Sequence, residues 1–485
     1  MKKKLVSLLL CMALLCAALP ALADLDAAFE AGTLKLAEAD NPFTPAAADF
    51  ELTEDMLAAV KELSPETDVP AMVEEALKAG PPTVLSLAPS GNAAILELAG
   101  YGVCFSEGKY HVIWPGATRG VEDTYGNRKD FFTRFAGKYR TSFDDYSGVI
   151  WSPDGRYVAV SNQYVLFGSA KLGILAPMVI DVSTGETILL EAIPTAEKGI
   201  RHSISAACFS RDGRYLYYII YGRFEDGRIR LCRCDLATGE TEILLKSDER
   251  AFVPPLRELA DGSLLLSDNN QTKLAEFGSV YRFAEKDGEW TLGHIEGTAT
   301  VRYISPSRLF YSEKSGFAVA LDSTLLIDRY SFQLFRPEED FAGFDRILCL
   351  SEEKDEVVSL TGAEWEAAVN AALEVPCDED PRPRSFTYAQ LPYRGIEYAV
   401  MSPDGNYLLA VTKSTTGPKP DITRDVLLIR LSDLAVRKVE GPDAMSIVLG
   451  AQLNWRRAIE WNTDTLVIVT AAGADNYQVG TYQFE

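Results

Sequence analysis

Trp151-Ser-Pro-Asp-Gly-Arg-Tyr-Val-Ala-Val is the stretch that decides how this chain folds. It recurs as Phe209-Ser-Arg-Asp-Gly-Arg-Tyr-Leu-Tyr-Tyr and as Met401-Ser-Pro-Asp-Gly-Asn-Tyr-Leu-Leu-Ala. In each copy a large apolar residue ends one strand, and the serine hydroxyl can hydrogen-bond across the start of a turn. Proline presets φ for the first central position, with Arg211 in its place in the second copy. Aspartate suits the second central position, and glycine supplies the positive φ that releases the chain into the next strand. Tyrosine and the apolar residues after it open that strand. A companion element follows two of the copies: Asp181-Val-Ser-Thr-Gly-Glu-Thr-Ile-Leu-Leu matches Asp235-Leu-Ala-Thr-Gly-Glu-Thr-Glu-Ile-Leu-Leu, with Thr-Gly as a tight turn between a third and a fourth strand.

Weaker copies extend the pattern. Ala88-Pro-Ser-Gly-Asn, Ala260-Asp-Gly-Ser, Ser305-Pro-Ser-Arg and Trp461-Asn-Thr-Asp-Thr are turns beside apolar runs. The step from position 306 to position 403 is about two periods. A degenerate unit is therefore expected near position 355, where Ile347-Leu-Cys-Leu-Ser, Glu352-Glu-Lys-Asp-Glu and Val357-Val-Ser-Leu read as strand, turn, strand. Eight units result, with seven as the alternative. A repeat of roughly 40–50 residues carrying about four strands predicts an all-β chain folded as a β-propeller. A sandwich accounts for the strand content, but not for one turn recurring once per unit.

The Ser-Pro-Asp-Gly-Arg-Tyr and Asp-x-x-Thr-Gly-Glu elements resemble the propeller repeats of TolB-type proteins and of the prolyl-oligopeptidase propeller. The resemblance is carried by residues 147–247 and 397–440 and implies the fold alone. Such repeats serve scaffolds, transporter partners and protease accessory domains alike.

Around the repeats, composition changes. Met1-Lys2-Lys3-Lys4, the apolar run Leu5 to Leu19 and Ala21-Leu22-Ala23 have the order of a secretory signal peptide, with cleavage expected after Ala23. The run is shorter than the ~20 residues of a spanning helix. An exported protein follows, extracellular or in the cell envelope, and periplasmic where an outer membrane exists. The formal charge of −23 becomes −26 once the three lysines are removed, which disfavours nucleic acid and anionic lipid as partners. Residues 24–80 form an acidic region with fourteen carboxylates against Lys35, Lys61 and Lys78. There Thr53 reads as an N-cap, Met56, Val60 and Leu63 share one helical face, and a second helix runs from about Pro70 to Ala79. The propeller is expected over 81–485.

Chemistry is harder to find. No Gly-x-Ser-x-Gly elbow of a serine hydrolase occurs. His111, His202 and His294 are the only histidines and lack metal-ligand spacing. Carboxylate-rich Asp378-Glu-Asp380 and Glu338-Glu-Asp340 suit calcium better than zinc, yet neither has the spacing of a calcium loop, so no cofactor is expected. Six cysteines remain beyond the signal (Cys104, Cys208, Cys232, Cys234, Cys349 and Cys377), and their scatter predicts buried thiols. Thr361-x-x-Glu364 is a capping box opening a helix. Between the first two units, a segment dense in aromatic and cationic side chains includes Phe131, Arg134, Phe135, Tyr139 and Arg140. Aromatics with arginine are enriched at interaction hot spots, so these five are the candidate binding residues for a protein or glycan. The competing reading is that they anchor the insertion to a sheet edge. The function expected is a non-enzymatic binding scaffold. The alternative is a propeller hydrolase or lyase with its site in the channel.

Overall fold

The structure is a computed structural model, and it describes residues 20–32, 34–39, 43–63, 65–88, 93–99, 101–118, 149–160, 174–175, 178–189, 193–194, 203–224, 227–247, 252–268, 280–294, 304–312, 315–322, 331–336, 346–374, 391–413, 423–452, 459–461, 465–471 and 477–484. The described strands group into antiparallel meanders. The first is β2 (Thr83–Leu87), β3 (Ala93–Leu98), β4 (Tyr101–Ser106) and β5 (Lys109–Val112). In the second, β7 (Val149–Trp151), β8 (Tyr157–Val160), β10 (Met178–Asp181) and β11 (Glu186–Leu189) take β6 (Trp114–Thr118) as a parallel fifth strand on β11. Two short strands, β9 (Ile174–Leu175) and β12 (Ile193–Pro194), pair with each other outside that sheet.

The third group is β13 (Ser203–Phe209), β14 (Tyr215–Phe224), β15 (Gly227–Asp235) and β16 (Thr241–Ser247). The fourth is β17 (Phe252–Glu258), β18 (Leu264–Asp268), β19 (Val280–Lys286) and β20 (Glu289–His294). A fifth contains β21 (Ile304–Tyr311), β22 (Ala318–Asp322), β23 (Ser331–Phe335), β24 (Arg346–Ser351) and β25 (Val357–Thr361). The sixth is β26 (Tyr393–Met401), β27 (Tyr407–Lys413), β28 (Arg424–Arg430) and β29 (Val436–Glu440), and β26 also pairs with β24 through Leu350↔Arg394 and Ser351↔Tyr393, so that hydrogen bonds join the fifth group to the sixth in one sheet. The last contains β30 (Ile459–Trp461), β31 (Thr465–Ala471) and β32 (Tyr477–Phe484), and its fourth strand is β1 (Leu34–Glu38) from the other end of the chain. The hairpin expected near position 355 is present as β24–β25. It extends the fifth group, through the pairs Ser331↔Cys349 and Phe332↔Leu348, rather than building a separate four-stranded one.

Neighbouring groups pack face to face through apolar side chains, as alternating strands buried on both faces must. Ala159 and Val179 of the second group meet Ala207, Phe209 and Tyr218 of the third. Tyr217, Ile219 and Leu231 of the third meet Leu256, Leu264 and Phe283 of the fourth. Val319 and Phe332 join Leu408 and Leu427 between the fifth and sixth, and Leu409 and Leu428 join Leu466 and Ile468 between the sixth and seventh. The fourth and fifth groups touch through β17 and β21. Val467 of the seventh group joins the cluster of Ala94 and Leu96 in the first, and Trp151 Nε1 of the second donates to Ser86 Oγ of the first at 2.9 Å.

The acidic region packs on the first group. Helix α2 (Glu54–Leu63) follows a Thr53 cap whose hydroxyl accepts from Met56 N at 3.2 Å. Helix α3 (Val69–Lys78) is capped by Asp68, whose Oδ1 accepts from Ala71 N at 3.2 Å. Met56, Val60, Val69 and Val73 bury one apolar face against Leu96, Val103 and Tyr110, and the charged faces stay outside. Helix α1 (Pro20–Ala31) precedes β1, α4 (Gly362–Glu374) follows β25, and α5 (Ala444–Gln452) lies between β29 and β30. The capping box at Thr361 is formed, with Thr361 N donating to Glu364 Oε2 at 2.7 Å and Glu364 N donating to Thr361 Oγ1 at 3.3 Å. No described helix is long and apolar enough to cross a membrane.

Candidate functional site

Each meander has two ends, and their chemistry differs. At one end lie the turns between first and second strands and those between third and fourth. Here the repeat residues build one network several times over. Ser152 Oγ donates to Asp154 Oδ1 at 2.6 Å and accepts from Tyr157 N at 2.8 Å, while Arg156 N donates to the same carboxylate oxygen at 3.1 Å. Ser210, Asp212, Arg214 and Tyr215 repeat this arrangement, as do Ser402, Asp404, Asn406 and Tyr407. The arginine then reaches the aspartate of the companion turn: Arg156 Nη2 to Asp181 Oδ2 at 3.0 Å, and Arg214 Nη2 to Asp235 Oδ2 at 2.9 Å.

Electrostatics follow from those contacts. The Ser210 hydroxyl and the Arg214 amide hold the Asp212 carboxyl below its ordinary range. Desolvation pulls Asp235 upward, but the Ala237 and Thr238 amides and Arg214 outweigh it and keep that carboxyl low. These carboxylates are therefore ionised and already fully engaged in turn geometry. Each repeat serine spends its proton on the turn aspartate and its lone pair on the tyrosine amide, so its hydroxyl is part of the turn.

Two clusters sit between groups. Tyr217 Oη donates to Glu258 Oε1 at 3.2 Å, and Arg211 N donates to Glu258 Oε2 at 2.6 Å, tying the third group to the fourth. Beside them Arg233 pairs with Glu242 at 2.7 Å and lies over the rings of Tyr215 and Trp290, at 5.0 Å and 5.8 Å. Burial and the Glu258 charge push the Tyr217 phenol well up, so it stays neutral. The second cluster is at the junction of the first and second groups. His111 is buried on β5 opposite Cys104, and its Nδ1 has no hydrogen-bond partner. Burial lowers its pKa against the opposing pull of Glu51 and Asp181. Burial, then the Asp181 charge, raises the Cys104 thiol well above its usual value, which leaves it an unreactive neutral group.

The other end of each meander carries the connections from second to third strand and from each fourth strand to the next group. In the second group the residues of that rim form one row: Thr118 pairs with Leu189, Leu189 with Met178, Met178 with Val160, and Val160 with Val149. The chain leaves the sheet at Thr118 and returns at Val149 on this same rim. Phe131, Arg134, Phe135, Tyr139 and Arg140 fall between those points and lie outside the described residues, as do His202, Glu338-Glu-Asp340, Asp378-Glu-Asp380 and Cys377. The β9–β12 pair springs from the same end of the same group. In the link from the sixth group to the seventh, between β29 and β30, α5 occupies the corresponding kind of connection; it buries Ile447, Val448 and Ala451 while Met445 and Leu449 are 57% and 45% exposed. That apolar pair was not anticipated from the sequence, although its i,i+4 spacing in an uncharged stretch is a readable signal.

His111 and His294 lie on the last strands of two different groups. The five described cysteines are buried. Among the described residues no three His, Cys, Asp or Glu side chains gather to hold a metal ion.

No protein-family model matches the chain, and no curated protein matches it. Solved structures do resemble it, at low identity. Dipeptidyl peptidase 4 of Porphyromonas gingivalis is 10% identical over 83% of this chain and 50% of its own, with a TM-score of 0.42. A prolyl endopeptidase is 11% identical over 89% of this chain and 54% of its own, at 0.43. An oligogalacturonate lyase of Vibrio parahaemolyticus is 12% identical over 70% and 91%, at 0.32. The chain spans about half the length of the two peptidases. The likeness is one of fold: a mostly β chain of several sheets with propeller-like neighbours.

Proposed function

We propose that this protein is an exported, non-enzymatic β-propeller of seven blades that binds a protein or glycan partner at the rim carrying its inter-strand insertions. The seven meanders are the blades, each touching the next and the last touching the first. The observation that carries the binding reading is the row from Thr118 to Val149. It delivers both ends of the aromatic and cationic insertion to one rim, away from the turns whose polar groups are already committed. Connections on a rigid scaffold are where binding residues are concentrated. Phe131, Phe135 and Tyr139 offer contact area, and Arg134 and Arg140 offer planar hydrogen bonding to carboxylate, sulfate or main-chain oxygens. The chain's net charge of −23 favours a partner that is not itself strongly acidic.

The test is the double variant Arg134→Ala with Tyr139→Ala, compared with wild type on a glycan array and in cross-linked pull-down from the exported fraction. Binding per folded molecule should fall while the melting temperature is unchanged. A melting temperature lowered by several degrees with binding intact makes the insertion an anchor for the sheet edge, and the reading fails.

A further inference from the structure

The first six groups are each built from strands near one another in the chain. The seventh is completed by residues more than 400 positions away, and the contacts that hold them are those of a bound peptide. In α1, Leu25 and Phe29 are buried, four residues apart on one face. The Phe29 ring is fully enclosed: the Arg430 guanidinium lies 4.8 Å from its centroid, that of Arg437 5.2 Å, and the Tyr407 ring 5.3 Å. Arg437 Nε donates to the Phe29 carbonyl at 3.1 Å. Tyr407 Oη donates to Asp26, and Arg430 pairs with both Glu30 and Asp433. Gly32, at φ +79°, then ends the helix and turns the chain into β1.

β1 is held on both edges. Leu34 and Lys35 run parallel to Val439 and Glu440 of β29, and Leu36, Ala37 and Glu38 run antiparallel to Phe484, Gln483 and Tyr482 of β32. Ala39 N adds a bond to Thr481 O at 2.8 Å. Leu34 and Leu36 point into the core shared by the sixth and seventh groups. One segment thus uses two recognition modes found in separate peptide complexes: an amphipathic helix in a groove and strand addition to open sheet edges.

We infer that the groove between β29 and β32, with its Arg430–Arg437–Tyr407 slot, is a peptide-acceptor site whose occupant is this chain's own segment 24–39, held by non-covalent contacts and able to leave and return without the rest unfolding. The occupant's chemistry is specific. It needs an aromatic side chain for the slot, carboxylates at the positions of Asp26 and Glu30, glycine at the turn, and an alternating apolar strand. Release exposes two strand edges, those of β29 and β32, to any extended peptide that meets these requirements. The inference rests on these contacts and stands whether or not the opposite rim binds a partner.

The experiment uses the full chain with a specific protease site inserted between Ala39 and Phe43, cut after folding. The severed 24–39 fragment should co-elute with the body on gel filtration. A synthetic 24–39 peptide in excess should displace it, and the same peptide with Phe29→Ala should compete more than about a hundredfold less well, the loss expected for a fully buried aromatic. A body carrying Arg430→Ala and Arg437→Ala should release the fragment. Equal competition by the Phe29→Ala peptide overturns the inference, as does a fragment that falls away at once or one that no excess displaces. If the inserted site blocks folding, amide hydrogen exchange on the uncut chain decides. Residues Leu34–Glu38 should exchange together and faster than those of β27 and β28. Exchange of β1 only at the rate of global unfolding would refute a detachable segment.

Discussion

The two ends of the meanders contrast in what their polar groups are free to do. At the turn end, the same serine, aspartate and arginine recur with nearly the same distances, and their hydrogen-bonding capacity is spent on turn geometry. At the opposite rim, the connections differ from one another among the described residues: a parallel added strand, a small two-stranded pair and a helix with an exposed apolar pair, and the sequence adds an insertion rich in aromatics. Repetition thus marks the end that sets the fold, and the proposed binding surface lies at the end that lacks it. The contrast can be broken by substitutions that are harmful at one end and silent at the other.

The largest effect belongs to Gly185, in the companion turn of the second group. Its φ is +74°, and a Cβ there would lie 2.3 Å from the Val112 carbonyl oxygen, a backbone atom of the first group that cannot step aside. Gly185→Ala should therefore cost about 2–5 kcal/mol, adding overpacking of about 1–3 kcal/mol to the left-handed penalty of about 1–2 kcal/mol. Gly262 is the control, with φ +80° but nothing within 4 Å of its Cβ position. Gly262→Ala should lose only the backbone part, about 1–2 kcal/mol. Urea melts of the two variants check this, and equal losses would mean that the first and second groups are not held together at that turn.

Next in size is the serine of the repeat. Ser402 is buried, donates to Asp404 at 2.6 Å and accepts from Tyr407 N at 2.9 Å. Ser402→Ala leaves a buried amide without its acceptor, and the expected cost is about 1–3 kcal/mol. Ser210→Ala should match it within error, since its partners and distances are the same. A large difference between the two would show that the network is not equivalent from group to group.

What could be read from the sequence follows the same divide. Turns with short-range causes were legible: the Ser-x-Asp-Gly motif, the Asp-x-x-Thr-Gly-Glu turn and the caps at Thr53 and Thr361 all act within five residues. A closing strand from the other terminus is legible too: the last unit offers only about three strands, around Ile459, Leu466 and Gly480, and two stretches near the other end, Thr33-Leu-Lys-Leu and Thr83-Val-Leu-Ser, have the pattern to complete it. Counting units was less secure. Near position 355 the local pattern predicts strand, turn, strand, and that hairpin is there. Whether it starts a new sheet or extends an old one is decided by the long-range pairing of Ser331 and Phe332 with β24, to which local periodicity is blind. The Phe29 slot escaped for the same reason. Its parts come from residues about 400 positions apart, and arginines stacked on a phenylalanine carry no spacing signal.

A smaller effect is expected at the His111 junction, and it depends on pH. Burial lowers this imidazole's pKa, so below about 6.5 the unfolded chain takes up a proton that the folded chain refuses. Stability should be full above that pH and decline as pH falls below it, by at most about 1.4 kcal/mol per pH unit. The nearby charges of Glu51 and Asp181 favour the protonated form and Lys109 opposes it, so the decline ends once the folded imidazole also titrates. His111→Gln removes the titration. The difference between wild-type and variant urea midpoints should therefore shrink as the pH is lowered from 7 to 5.5. A constant difference would place His111 in a site open to water.

The smallest effect on stability should come from the opposite rim, in α5. Met445 and Leu449 point outward from a helix whose other face buries Ile447, Val448 and Ala451 between the sixth and seventh groups. Apolar side chains that are about half exposed have little transfer energy to lose, so Met445→Ser with Leu449→Ser should change stability by no more than about 0.5 kcal/mol. Ile447→Ala, one helical step away, should cost about 2–5 kcal/mol, because it opens a cavity in a packed core. The pair of results separates the helix's two faces by energy alone. Its functional arm is the binding assay used for Arg134→Ala with Tyr139→Ala. Weaker partner binding by the Met445→Ser, Leu449→Ser variant, at unchanged melting temperature, extends the proposed binding rim from the second group to the link between the sixth and seventh. Unchanged binding confines that rim to the insertion. A melting temperature lowered by several degrees means that another part of the chain covers this helix, and α5 then belongs with the turn end, among the parts that hold the fold.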